Sequence, residues 1–228
     1  VLVIRAVAFC PHPPVLVPEV AQGAAHELED LRAACRTAIR ATMTPDVRPL
    51  ILGSGPTATR YGATVRGSLA AHGVPLEVPL GSDAPGPIGL PLSLTVGAWL
   101  LRDALGPDNG ALGCTVAADP VLLAPPADEP FGLLIMGDGT ARRSTTAPGY
   151  FDPRAEAFDA GLAAALRTGR GSALGVDQQL GDELLATAPR VWNAARALLP
   201  DDEFEPDLLY DAAPYGVGYL VAAWTWRG

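Results

Sequence analysis

Between Phe131 and Asp159 the chain passes from an unbroken apolar run to a polar loop and then to a fourfold apolar repeat. Residues 131–136 are apolar without alternation and stop at Gly137, the pattern of a central strand covered on both faces. Gly137, Asp138 and Gly139 break that strand, and Thr, Ser and Arg residues fill the loop that follows. Asp152 and Pro153 then mark a helix start, with Asp152 as acceptor for the orphan amides and Pro153 at the first helical position. Phe158, Leu162 and Leu166 give this helix one apolar face to lay on a sheet. Ligands of open α/β sheets sit beyond the carboxyl ends of strands, so the loop after Met136 is where a site is expected.

The rest of the chain continues the alternation. Leu2 to Phe9 predicts a first strand, running into a stiff loop containing Pro11, Pro13, Pro14 and Pro18. Leu28, Leu31, Cys35 and Ile39 recur at helical spacing within Glu19 to Met43, with His26 solvated near the start. Leu50 to Leu52 predicts a second strand, Arg60 to Ala71 a helix with His72 near its last carbonyls, and Leu76 to Leu80 a strand. Gly81 to Leu90 is a loop that could be a lid or a plain connection, and Ser93 to Leu105 predicts a helix with Trp99 on its inner face. Cys114 to Ala118 is a weak strand, and Pro120 to Pro130 is irregular. Asp177 to Leu199 predicts one or two helices broken near Pro189, with Trp192 packed among them. Pro200 to Pro206 is an acidic linker, and Leu208 to Tyr210 and Val217 to Trp224 are final strands. The order predicts a single three-layer α/β domain over residues 1–228, with a central mixed β-sheet flanked by helices.

Charge and composition narrow the classes. A net charge of −9, with no basic cluster longer than Arg142-Arg143, argues against a nucleic-acid surface. All of the basic residues are Arg, which reads as coding bias rather than function. Cys10, Cys35 and Cys114 are odd in number and lack metal-ligand spacing, so a reducing cytoplasmic setting is expected. Val1 to Cys10 is too short for a signal peptide, and no apolar stretch reaches the roughly 18 residues of a membrane helix. The residues 53–60, GSGPTATR, have neither the Lys-Ser/Thr of a P-loop nor the spacing of a dinucleotide fingerprint. His12, fixed between two prolines, suits a residue that points at a site, and a surface loop histidine is the plain alternative.

Three segments in order, AFCPHPPVLVPEV, MGDGTARRSTTAPGYFDPRAEAFD and LLYDAAPYGVGYLVA, resemble the class III extradiol ring-cleavage dioxygenases of the LigB type and their Memo-like relatives. The resemblance spans nearly the whole chain and implies a LigB-like α/β domain. In active members Fe(II) is held by two histidines and a carboxylate, the facial triad of non-haem oxygenases, and a further histidine moves protons. By that resemblance His12 falls on the first ligand, Gly55 stands at the second, and Ala141 follows GDGT where the acid/base histidine is expected. Asp211 reaches the carboxylate position with a slip of about one residue. One imidazole and one carboxylate are too few to hold Fe(II) firmly against water.

The leading expectation is a LigB-type protein with a degenerate iron site and no cofactor, whose pocket takes a small anionic or aromatic molecule or a partner. Its candidate residues are His12, Ser54, Gly55, Asp138, Thr140, Arg142, Arg143 and Asp211, with either arginine able to fork a carboxylate or phosphate, or else to pair with Asp152 or Glu156. The alternative is a metal-dependent oxygenase or hydrolase holding Fe(II) or another divalent metal with His12, Asp138 and Asp211. A serine nucleophile, Ser54 or Ser144 with His12, is weaker because neither lies in a Gly-x-Ser-x-Gly elbow. A homo-oligomer or partner subunit is left open by residues 217–226, apolar enough for a core strand or an edge.

Overall fold

The computed structural model describes residues 3–116 and 129–228. In chain order the strands and α-helices are β1 (Val3–Cys10), α1 (Pro18–Ala21), α2 (Glu29–Thr42), β2 (Arg48–Ser54), β3 (Thr59–Tyr61), β4 (Arg66–Ser68), β5 (Glu77–Pro79), α3 (Leu92–Leu105), β6 (Leu112–Val116), β7 (Pro130–Met136), α4 (Ala155–Leu166), α5 (Gln178–Glu183), α6 (Ala188–Ala195), β8 (Phe204–Ala212) and β9 (Tyr219–Trp226). Seven strands form one mixed sheet in the order β3-β6-β2-β7-β1-β9-β8, and β4 pairs with β5 in a small separate ribbon. β6, β2, β7 and β1 run parallel, whereas β3 and β9 enter antiparallel. The apolar run before Gly137 is the middle strand, and every residue from Phe131 to Met136 is buried.

Alternation along the parallel strands divides the core between two faces. Phe9, Leu52, Phe131, Leu133 and Ile135 look toward α4 and α6, where Leu162, Leu166, Val191 and Trp192 cover them. Ala8, Cys10, Ile51, Leu134 and Met136 look the other way, toward Leu31, Cys35 and Ile39 of α2 and Leu94 and Leu101 of α3. The result is a three-layer α/β arrangement with helices on both sides of the sheet. β9 lies between β1 and β8, so the apolar C-terminal run is an interior strand rather than an edge. Trp192 packs edge-on against Phe9, with ring centroids 5.6 Å apart.

Several local expectations give way to tertiary pairing. The segment expected as a helix over Arg60 to Ala71 is instead β3, β4 and a short 3-10 turn. β3 adds to the edge of β6, pairing Thr59 with Thr115 and Tyr61 with Gly113, and Gly67 lies so close to Thr95 of α3 that a Cβ would meet its Oγ1 at 2.1 Å. A side chain on a helix there would occupy the space Thr95 uses. The expected helix over Glu19 to Met43 is split into α1, a 3-10 stretch and α2. Trp99 is half-buried and lines a surface cleft with Arg102 and Glu77, while Gly97, against Ile51 and Met136, takes the sheet-facing place. α4 begins two residues later than expected: the Asp152 carboxylate accepts from the Arg154 amide at 2.9 Å and closes the turn that leads into it. β8 starts within the expected acidic linker, and the break between α5 and α6 precedes Pro189. The region expected to be irregular, Pro120 to Pro130, lies largely outside the described residues, as do the last two residues of the strand expected over Cys114 to Ala118. Among the described residues no helix is long and apolar enough to cross a membrane.

Candidate functional site

Three adjacent parallel strands, β2, β7 and β1, deliver Ser54 and Gly55, Asp138 and His12 to the same carboxyl edge of the sheet. The two inner loops are stitched together first: the Gly137 amide donates to the Cys10 carbonyl at 3.0 Å, and the His12 amide donates to Asp138 Oδ1 at 2.8 Å. That second bond fixes the Pro-rich loop against the loop after β7. The His12 side chain is buried, and its Nδ1 lies 3.7 Å from Asp138 Oδ1 without a hydrogen-bond partner. A buried ring nitrogen left unbonded beside a carboxylate is uncommon, because such groups are nearly always satisfied. Asp138 is in turn held by its backbone: its amide donates to Thr187 Oγ1 at 2.8 Å, and its carbonyl accepts from the Thr187 and Ala188 amides at the start of α6. Tyr219 of β9 is buried near Asp138, and burial and then the Asp138 carboxylate push its phenol well above the ordinary value.

A residue without a sequence-level assignment organises the loop. Asp159 of α4 is buried and accepts from the Thr140 amide at 2.8 Å, from the Thr140 hydroxyl at 2.9 Å and from Arg143 Nη1 at 3.1 Å. Gly139 and Gly218 allow this: a Cβ on either would lie 2.6 or 2.3 Å from an oxygen of that carboxylate. The loop then zips onto the turn before β9, through Gly139 to the Gly218 carbonyl, Gly218 to the Thr140 carbonyl and Arg143 to the Gly216 carbonyl. Burial raises the Asp159 pKa, against the lowering effects of Thr140 and Arg143. Asp159 shares the buried side of α4 with Ala155, Leu162 and Leu166, so an acid within the apolar repeat was the signal available in the sequence.

The eight expected pocket residues therefore separate. His12 and Asp138 are brought together. Thr140, wholly buried, and Arg143 turn to Asp159 and hold structure rather than a pocket wall; Arg143 also reaches Glu156 at 3.4 Å. Ser54 lines a cavity of about 120 Å³ with Asp182, Ala186, Thr187 and Arg190, well below the roughly 300–1,000 Å³ of a ligand pocket. Gly55 packs against Thr115, whose Cβ would lie 2.9 Å from a Cβ added there. Asp211, two strands from β1 on the outer strand β8, pairs with Arg167 at 3.4 Å. Arg142 makes no ion pair among the described residues. Ser144 bonds Thr146 Oγ1 at 3.1 Å, and neither it nor Ser54 meets His12.

For a divalent metal the donor set does not fit. A two-strand separation is about 10 Å, so the ligand set His12, Asp138 and Asp211 does not converge, and no group of three His, Cys, Asp or Glu side chains is gathered for a metal among the described residues. Gly55→Ala is expected to lower stability by about 1–3 kcal/mol, the range for overpacking a filled site, and a melting comparison with the wild type checks it. Comparison of the chain with protein-family models and with curated proteins finds no match in either.

Proposed function

We propose that the chain is a LigB-type, extradiol dioxygenase-like protein whose iron site has degenerated, and that it acts as a non-catalytic binding protein for a small molecule or partner at the loops beyond β1, β2 and β7. The observation that carries this reading is the fate of the ligand positions. Gly55 has neither a donor nor room for a Cβ beside Thr115, and the Asp211 carboxylate is engaged by Arg167. His12 nevertheless remains buried at a strand end with Nδ1 unbonded, which supports a retained polar pocket floor rather than a fully solvated loop.

Elemental mass spectrometry on untagged protein, with and without anaerobic Fe(II) addition, tests the reading. Sub-stoichiometric metal, unchanged in His12→Ala, is the expected result. Near-stoichiometric metal that vanishes in His12→Ala would overturn it in favour of a rebuilt metalloenzyme. Gly55→His is expected to leave metal content unchanged, because the obstruction at that position begins at Cβ.

A further inference from the structure

Arg142 stands apart from the other cations of the loop cluster. Arg143 is held by Asp159 and Glu156, Arg154 by Asp152 and Glu183, and Arg190 by Asp182. Arg142 has no such partner among the described residues, and its Nε is buried without a hydrogen bond. The nearby Asp152 attracts Arg142 only through space, because its two oxygens accept their hydrogen bonds from Arg154, at 3.1 and 2.8 Å. A guanidinium with no carboxylate bonded to it is a local positive site at which an anion can bind, although the −9 of the whole chain opposes the approach.

The stem of Arg142 is packed against apolar groups. A Cβ on Gly149 would lie 2.8 Å from Arg142 Cγ and 2.6 Å from Leu185 Cδ1, so the arginine stem and Leu185 both press on that glycine backbone. The Arg142 carbonyl accepts from the Asp152 amide, and the Ala141 amide donates to the Leu184 carbonyl, tying the loop to the turn after α5. Tyr150 (64 % exposed), Phe151 (51 %) and Leu185 (47 %) stand in solvent around it. Tyr150 and Leu185 do so at φ of 60° and 59°, a left-handed backbone that bulky side chains rarely adopt and that clusters at functional sites.

We propose that Arg142 is the anion-binding residue of this protein and that its ligand is an oxyanion, carboxylate or phosphate, borne on a flat apolar group that lies against Tyr150 and Leu185. This rests on the binding reading above and adds the chemical class of the ligand. A planar guanidinium forks either oxyanion bidentately through its terminal nitrogens, and an exposed tyrosine ring offers a stacking face.

Isothermal titration with benzoate, phenyl phosphate and inorganic phosphate tests it, using wild type, Arg142→Gln and, as a charge-matched control, Arg170→Gln, whose arginine lies 3.7 Å from exposed Asp202. Binding of benzoate or phenyl phosphate that weakens at least tenfold in Arg142→Gln, and is unchanged in Arg170→Gln, is expected. The relative affinities of the two aromatic probes separate a carboxylate from a phosphate source. Tyr150→Gly, which suits the left-handed backbone, keeps the test open if Arg142→Gln misfolds; it should weaken phenyl phosphate and leave inorganic phosphate unaffected. Equal losses in Arg142→Gln and Arg170→Gln, equal affinity for inorganic and phenyl phosphate, or no binding of any probe would overturn the proposal. Failure of the wider reading shows itself separately, as stoichiometric metal lost in His12→Ala.

Discussion

Asp159→Ala is expected to lower the unfolding free energy by about 2–4 kcal/mol, because it strands the buried Thr140 amide and hydroxyl together, each unsatisfied donor costing about 1–3 kcal/mol. Both donors are otherwise bonded to this carboxylate, and Arg143, about a quarter exposed, loses its inner partner while retaining access to water. Asp159→Asn keeps one oxygen acceptor and should recover part of the loss. Denaturant melts of the three proteins give the measurement; an alanine variant within about 0.5 kcal/mol of wild type, the scatter of a neutral surface change, would show that the loop does not depend on this residue.

The same carboxylate carries a pH signature of definite sign. Burial raises its folded pKa above the ordinary aspartate value, so in that window the native state binds more protons than the unfolded one. Its contribution is fully present below the unfolded pKa of about 3.9 and is lost as pH rises through the folded value. Asp152, lowered to about 2 by Arg154, acts oppositely: its contribution is present above the unfolded pKa and lost as pH falls. The stability difference between wild type and Asp159→Asn isolates the first effect and should decline with rising pH. A difference that grows with pH would show that Thr140 and Arg143 outweigh burial.

What the sequence made legible was the frame. The run before Gly137 announced a doubly covered strand because burial on both faces leaves an uninterrupted apolar pattern, and it is the middle strand of seven. Residues 60–71 resisted such reading because their partners, β6 for β3 and Thr95 for Gly67, are remote in sequence. The site divided in the same way. His12 and Asp138 could be named because each follows a strand into a Pro- or Gly-broken loop. The engagement of Asp211 by Arg167, of Arg143 by Asp159 and of Gly55 by Thr115 depends on how helices and strands dock, which local pattern does not encode.

Trp224→Ala is expected to have the largest effect, about 3–5 kcal/mol, as for other buried aromatic truncations, and to lower the melting temperature by roughly 6–20 °C at about 2–4 °C per kcal/mol. The ring is fully buried between Phe9 at 4.8 Å and Phe204 at 6.0 Å, and its Nε1 donates to the Leu166 carbonyl at 2.8 Å. Truncation leaves a cavity on the α4 face of the sheet and also removes a donor from the last turn of that helix. Trp224→Phe separates these, keeping most of the volume and losing the hydrogen bond, for about 1–2 kcal/mol. The consequence reaches the site because Phe9 lies three residues before His12 and is wedged between Trp224 and Trp192. Loosening Phe9 frees the end of β1, so the His12 amide, bonded to Asp138, should exchange its hydrogen faster in Trp224→Ala than in wild type, beyond the change at amides of α3 on the far face. Uniform acceleration throughout the chain would instead mean that the ring supports global stability alone and does not hold the Pro-rich loop in place.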